Sequence, residues 1–186
     1  MIREAMAADV PGMLAIYEYY VKETAVSFEY RLPTVEEFTC RLHEHKEVYP
    51  WLVWEEEGEI LGYAYAGRAF ERAAYSWNAE ISCYLKEKGK GMGRRLYTII
   101  EEILRLQGIR KVYAVVTSAN EPSVAFHKAV GYEEALTYKD VGYKLGKWYD
   151  VIWLEKQLCP LGDPEEFPVT WKDRKISYFL KKVLDK

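Results

Sequence analysis

The stretch Lys86 to Tyr97, KEKGKGMGRRLY, places three alternating glycines and five basic side chains between an apolar segment ending at Leu85 and a helical-looking one beginning at Arg94. Glycine lets a backbone come close to a ligand, successive N–H groups form a concave anion nest, and the first turn of a following helix adds its positive end. Leu96, Ile99, Ile100, Ile103 and Leu104 recur at i, i+3, i+4, i+7 and i+8, which predicts that helix, and Gly108 supplies its stop. Single residues exclude two common phosphate loops. Gly89-Lys90 is followed by Gly91, where a nucleoside-triphosphate loop needs the hydroxyl of Ser or Thr. A dinucleotide fingerprint would put its third glycine at Arg94 or at Leu96. A pyrophosphate cradle of another kind and a solvated turn kept soluble by its lysines both remain open.

Upstream of the loop, Trp77 to Leu85 alternates as a strand, with Asn78, Glu80, Ser82 and Tyr84 on one face and Ala79, Ile81, Cys83 and Leu85 on the other. Nearer the N-terminus, Ile2 to Ala5 reads as a short strand. A helix follows, capped by Asp9, with Pro11 in its first turn and Met13, Ile16, Tyr17, Tyr20 and Val21 on one side. Thr34 and Glu37 form a capping box for a second helix that ends near Lys46. Trp51 to Glu56 and Ile60 to Arg68 flank the Glu57-Gly58 turn as a hairpin, and a polar loop runs from Ala69 to Ser76. Downstream, Lys111 to Val116 is a strand. Asn120 and Pro122 open a short helix through Val130, closed by Gly131, and Trp148 to Leu158 is a last strand after the Leu145-Gly146 turn. This order predicts a mixed α/β domain, a twisted sheet flanked by helices, over residues 1–158. Beyond it, Cys159 to Trp171 carries three prolines and reads as an extended arm. A basic amphipathic helix follows from Asp173 to Leu184, so residues 159–186 are expected to pack on the domain or on a second copy.

A chain of 186 residues, 49% of them hydrophobic, has room for one domain with a real core. Its net charge of −3 gives no global attraction for nucleic acid or an anionic membrane, and neither is expected as a partner. The three cysteines, Cys40, Cys83 and Cys159, are far apart and form no Cys-x-x-Cys pair, against both a disulfide framework and a zinc site. His43 and His45, two apart on a helix, do not face together, so no metal is expected there. The N-terminal segment lacks an apolar core, and no window approaches the length of a membrane span. A cytoplasmic protein is therefore expected.

The strand ending Cys83-Tyr84-Leu85, the loop from Lys88 to Gly93, the long helix, the next strand, Asn120 and SVAFHKAVGY at 123–132 together resemble the GNAT superfamily of N-acetyltransferases. The acetyl-CoA motif of that family, Arg/Gln-x-x-Gly-x-Gly/Ala between a strand and a helix, matches Lys88 to Gly93 with lysine in its first place. Within the superfamily the chain resembles the phosphinothricin (methionine sulfone and sulfoximine) acetyltransferases. The shared segments are YPWLV at 49–53, YAG at 65–67, AYSWNAE at 74–80, LY at 96–97, NEPSVAFHKAVGY at 120–132 and VGYKLGKWYDV at 141–151. The resemblance reaches about residue 158. It departs in the turn before Gly89, about two residues shorter than the family's and without its proline, and in the arm after Cys159.

This resemblance implies acetyl-CoA as co-substrate, no metal, a small-molecule amine as acceptor and a homodimer. It assigns cofactor contacts to Cys83, Tyr84, Leu85, Lys88, Gly89, Lys90, Gly91, Met92, Gly93 and Arg94, with Asn120 opposite, Tyr84 being expected to offer backbone groups to the pantetheine arm. Asn120 can equally be a plain helix cap. Moving an acetyl group from a thioester to an amine needs a base for the ammonium proton and a proton for the departing thiolate. The resemblance places the base at Glu80, where partial desolvation on the strand would raise the pKa, and the acid at His127. The plainer alternatives are a strand carboxylate paired with a nearby cation and a hydrogen-bonded core histidine. Phe28, Glu29, Arg72 and Tyr75 are the implied acceptor contacts, a guanidinium being suited to a substrate carboxylate. Direct transfer is expected, since Cys83 shows no partner base. Two rivals stand beside this: the same fold acetylating a polyamine, an aminoglycoside or a protein N-terminus, and a non-catalytic acyl-CoA-binding protein whose C-terminal helix docks a partner.

Overall fold

Alternation along the strand before the glycine loop divides the core in two. In the computed structural model, which describes residues 1–164 and 166–184, seven strands form one sheet in the order β1-β2-β3-β4-β5-β7-β6. They are β1 Ile2–Glu4, β2 Trp51–Glu56, β3 Glu59–Arg68, β4 Asn78–Leu85, β5 Lys111–Thr117, β6 Glu133–Lys144 and β7 Lys147–Gln157. The helices are α1 Val10–Lys22, α2 Val35–Lys46, α3 Met92–Gln107, α4 Glu121–Ala129 and α5 Arg174–Leu184. Ala79 and Ile81 of β4 join a core with Leu96, Ile100, Ile103 and Leu104 of α3. Those four α3 side chains are fully buried, each contributing about 1.5–3 kcal/mol relative to exposure. On the other face, Tyr63 of β3 and Trp51 of β2 pack under Met13, Tyr17 and Tyr20 of α1 and Phe38 and Leu42 of α2.

All neighbouring strands run antiparallel except β4 and β5, which the α3 crossover makes parallel. That parallel pairing covers only Asn78 to Glu80 against Lys111 to Tyr113. Beyond Glu80 the two strands part, while β4 stays bonded to β3 as far as Leu85 and β5 stays bonded to β7 as far as Thr117. A wedge opens in the sheet, and the glycine loop lies at its mouth.

Two expectations need correction. The strand β6 is missing from the sequence-derived order. It is an exposed edge strand with Asp140 at a φ of 47°, and its register shifts between Tyr138 and Gly142, so apolar Leu136, Tyr138, Val141 and Tyr143 never form an uninterrupted period of two. Asp9 does not cap α1 through its side chain. It takes the Arg3 guanidinium in a two-pronged pair, each N–H···O at 2.7 Å, together with the Met6 amide. The capping box at Thr34 and Glu37 forms as predicted.

The C-terminal arm folds back onto the domain. Trp171 is 3% exposed and donates its Nε1 hydrogen to the Lys46 carbonyl at 2.8 Å, and Ile176 of α5 is fully buried in the α3-side core. Gln107, at the end of α3, donates to the carbonyls of both Val48 and Val169 and so ties the arm to the start of β2. Glu165, Asp185 and Lys186, which belong to the expected arm and helix region, lie outside the described residues. No helix is long and apolar enough to cross a membrane among the described residues.

Candidate active site

At the wedge the chain encloses a cavity of about 390 Å³. Gly89 and Gly91 stand at φ of 89° and 77°, the left-handed region that side chains resist, and a Cβ on either would meet nothing within 4 Å. Gly91 is the N-cap of α3 and brings no side-chain cap, so the orphan N–H groups of the first turn are left for a ligand. The helix starts at Met92, two residues before the Arg94 at which its periodicity begins. The loop is thus a backbone cradle facing a cavity, with Lys88 and Arg94 on its wall.

Of the residues assigned to the cofactor, Cys83, Leu85, Lys88, Gly89, Gly91, Met92, Gly93, Arg94 and Asn120 line this cavity. Asn120 makes no side-chain capping bond to α4, which leaves its amide for the cavity. Lys90 turns away and pairs with Glu87 at 2.7 Å. Tyr84 directs its ring to the opposite face of the sheet, 4.9 Å from Tyr17 and 5.2 Å from Tyr20 between centroids. Its backbone also points the other way. The Lys86 amide bonds to Leu61 of the chain leading through β3, so strand alternation gives the open edge of β4 to Ile81, Cys83 and Leu85. Tyr97 and Tyr20 confirm the direction by approaching the Ile81 and Leu85 carbonyls at 3.3 and 2.7 Å.

Glu80 occupies the last rung before the strands part, opposite Gly67 of β3 and Tyr113 of β5. Burial alone pushes its carboxyl up to about 7. None of the hydrogen bonds or ion pairs among the described residues engages that carboxylate, which is the opposite of a strand carboxylate held by a cation.

His127 is 4% exposed and lines the cavity from α4. Its Nδ1 lies 2.7 Å from the Ser123 carbonyl, which only accepts, so Nδ1 carries the hydrogen. Nε2 of the neutral ring is then an acceptor, and the Tyr97 hydroxyl donates to it at 2.7 Å. Burial lowers the His127 pKa against the opposing pull of the Ser123 carbonyl, which favours that neutral form. Tyr97 was not singled out for chemistry by its place in the sequence, because its position beside Leu96 on the apolar stripe of α3 says where its ring goes and nothing about its hydroxyl. Ser123, Phe126 and Tyr20 also line the cavity without a sequence signal of their own. The Cys83 thiol is pushed up to about 12 by burial, unsuited to a nucleophile.

The four implied acceptor contacts fall into two pairs. Phe28 and Glu29 lie on the loop between α1 and α2, Phe28 half-buried against β6 and β7 and Glu29 paired with Arg41 of α2 at 2.8 Å. Arg72 and Tyr75, both exposed, lie in the loop before β4 and line a separate cavity of about 130 Å³ with Tyr49, Arg68 and the arm residues Phe167 and Val169. The structure brings neither pair into the cofactor cavity. Among the described residues no group of three His, Cys, Asp or Glu side chains is placed to hold a metal ion.

Comparison with known proteins agrees with this geometry. A family profile described as an acetyltransferase (GNAT) domain matches residues 2–153. The phosphinothricin N-acetyltransferase of Streptomyces viridochromogenes is 38% identical over 172 residues, covering 91% of this chain and 94% of that protein. The L-methionine sulfoximine/L-methionine sulfone acetyltransferase of Pseudomonas aeruginosa is 34% identical over 165 residues, covering 86% and 95%. A crystal structure of a GNAT superfamily phosphinothricin acetyltransferase from Sinorhizobium meliloti, in complex with acetyl-CoA, superposes with a TM-score of 0.82 at 30% identity, covering 95% of this chain and 96% of that one.

Proposed function

The chain belongs to the GNAT acetyltransferase family, and on that footing we propose that it acetylates the amino group of a small amino-acid-like acceptor of the phosphinothricin, methionine sulfone or methionine sulfoximine type. Acetyl-CoA supplies the activated acetyl group when bound. The residues present suit it: the uncapped start of α3 and the glycine cradle offer N–H groups to a pyrophosphate, and the open edge of β4 at Cys83 and Leu85 offers backbone pairing to an amide-bearing arm.

The observation that carries the proposal is Glu80. An unpaired carboxylate with a pKa near neutrality, at the point where the strands part, is matched to taking a proton from an ammonium at physiological pH. His127 serves as the acid through Tyr97. The neutral ring must first take up a proton at Nε2, the Tyr97 hydroxyl turning from donor to acceptor. The Tyr97 oxygen then takes that proton as its own hydrogen goes to the departing thiolate, which returns His127 to the neutral form that burial favours. Phe28 and Glu29, with Arg72 and Tyr75, are assigned to the acceptor. Glu29 is paired with Arg41 and is therefore not free to hold a polycation. The test is acetyl-CoA turnover with a panel of amino acid analogues and polyamines, wild type beside Glu80→Gln. Turnover of the amino acid analogues, lowered by about a hundredfold or more in the variant, is expected; equal rates, or activity on polyamines alone, would sink the proposal.

A homodimer belongs to the same proposal. Leu136, Tyr138, Val141, Tyr143 and Trp148 stand exposed on the β6–β7 hairpin, a larger apolar patch than a lone surface side chain explains. Light scattering should give twice the chain mass of 21.8 kDa, and a monomer at micromolar concentration would end this part.

A further inference from the structure

Lys144 closes β6 and is the one lysine among the described residues counted with the buried side chains, at 3% exposure. A buried ammonium is costly unless its hydrogens find acceptors. Here Nζ donates to the Val21 carbonyl at 2.7 Å and to the Ser27 carbonyl at 2.5 Å. Val21 lies in the last turn of α1, whose carbonyls have no partner within the helix and whose end of the dipole favours a cation. Ser27 directly precedes Phe28 and Glu29 on the α1–α2 loop, and its own hydroxyl is fixed by Tyr17 at 2.8 Å.

Two neighbours in β6 hold the same loop. A Cβ on Gly142 would stand 2.1 Å from the Phe28 ring, so the ring lies directly against the strand backbone and only glycine admits it. The Tyr30 hydroxyl donates to the Tyr143 carbonyl. Residues 142–144 thus clasp residues 27–30 by an apolar contact, a neutral hydrogen bond and a buried cation, from an element more than a hundred residues away.

We propose that Lys144 is a positioning residue which, with Gly142, sets where Phe28 and Glu29 stand and thereby which amines the site accepts. This rests on the acceptor role proposed above for that loop. Of the residues that line the cofactor cavity, Tyr20 and Val26 adjoin the clasp as chain neighbours of Val21 and Ser27, while the glycine cradle and the starts of α3 and α4 stand apart from it, so its effect falls on the amine rather than on acetyl-CoA.

The test compares wild type with Lys144→Met, Gly142→Ala and Lys144→Arg by two measurements. The first is hydrogen exchange of the loop amides, where Val26 and Glu29 donate to the hydroxyls of Thr24 and Ser27. Exchange about tenfold faster in the first two variants is expected, with α3 and β4 as protected as in wild type. The second is steady-state kinetics. The KM of the amine should rise about tenfold and the order of preference across the panel should change, while the KM of acetyl-CoA holds. Lys144→Arg, which keeps the donors, should recover part of the loss. Unchanged loop exchange, unchanged amine kinetics, or equal damage to both substrates would overturn the proposal. Gly142→Ala decides the matter if Lys144→Met does not fold, since it removes no polar group. A wild type that acetylates no amino acid analogue would defeat the proposed function, whereas the exchange measurement would still report on the clasp.

Discussion

The cofactor cavity and the proposed acceptor side are built in opposite ways. The first is drawn mainly from two short runs of chain, residues 83–97 and 120–127, in which a strand end, a glycine cradle and two helix starts follow one another, with Tyr20 and Val26 added from α1 and the loop after it. The second, as proposed, is split: the α1–α2 loop is tied to the β6–β7 hairpin by Lys144 and Gly142 and to α2 by the Glu29–Arg41 pair, while the β3–β4 loop lies in separate surroundings. One half is held by backbone conformation and the other by side-chain contacts between remote segments. Local conformation is hard to vary without loss, whereas a contact between loops can be retuned by one residue.

Glu80 stands where β4 and β5 part, and as the proposed base its variant should have the largest effect. Glu80→Gln is expected to lower kcat/KM by about 10²–10⁴-fold, the usual range for a general base. The sign of the pH dependence follows from its pKa of about 7: the base works only when ionised, so wild-type kcat/KM should rise through that pH and the variant should lose this limb. A limb that survives in Glu80→Gln would assign the titration elsewhere.

Tyr97→Phe comes next. It removes the hydroxyl that holds His127 Nε2 and should reduce kcat by about 10²-fold, the low end for proton transfer, with both KM values kept. Losing the hydrogen bond to the neutral ring should also raise the His127 pKa, visible by NMR titration. An unchanged pKa and kcat would leave Tyr97 as core packing.

Gly91→Ala is the smallest of the three. Forcing a side chain into the left-handed region costs about 1–2 kcal/mol, so the KM of acetyl-CoA should rise about tenfold while that of the amine stays put. It is the mirror of Lys144→Met, and if either variant moved both KM values together the division of the site into two halves would fail.

Much of this was legible beforehand, for reasons visible in particular residues. The alternation of Asn78 to Leu85 and the stripe from Leu96 to Leu104 reflect burial against one partner, and such periods survive into the folded chain. The capping box at Thr34 and Glu37 is local chemistry and forms as its spacing requires. The strand β6 escaped because its apolar residues face outward and a bulge breaks their period. Asp9 stands at the N-cap position of α1 but gives the helix no side-chain bond, because Arg3, six residues earlier, and the Met6 amide take its carboxylate. Arg72 and Tyr75 were joined with Phe28 and Glu29 through a resemblance, and the structure sets the two pairs in different surroundings.

The amino-acid order therefore dictated the elements other than β6, the glycine cradle and the positions of Glu80 and His127 on their strand and helix, since each depends on residues within a turn or a strand of one another. Folding in three dimensions settled the parting of β4 from β5, the unpaired state of Glu80, the hydroxyl that Tyr97 lends to His127 and the clasp of Lys144 on the α1–α2 loop. Those features depend on burial and on hydrogen-bond direction between segments far apart in the chain, and no local pattern encodes either.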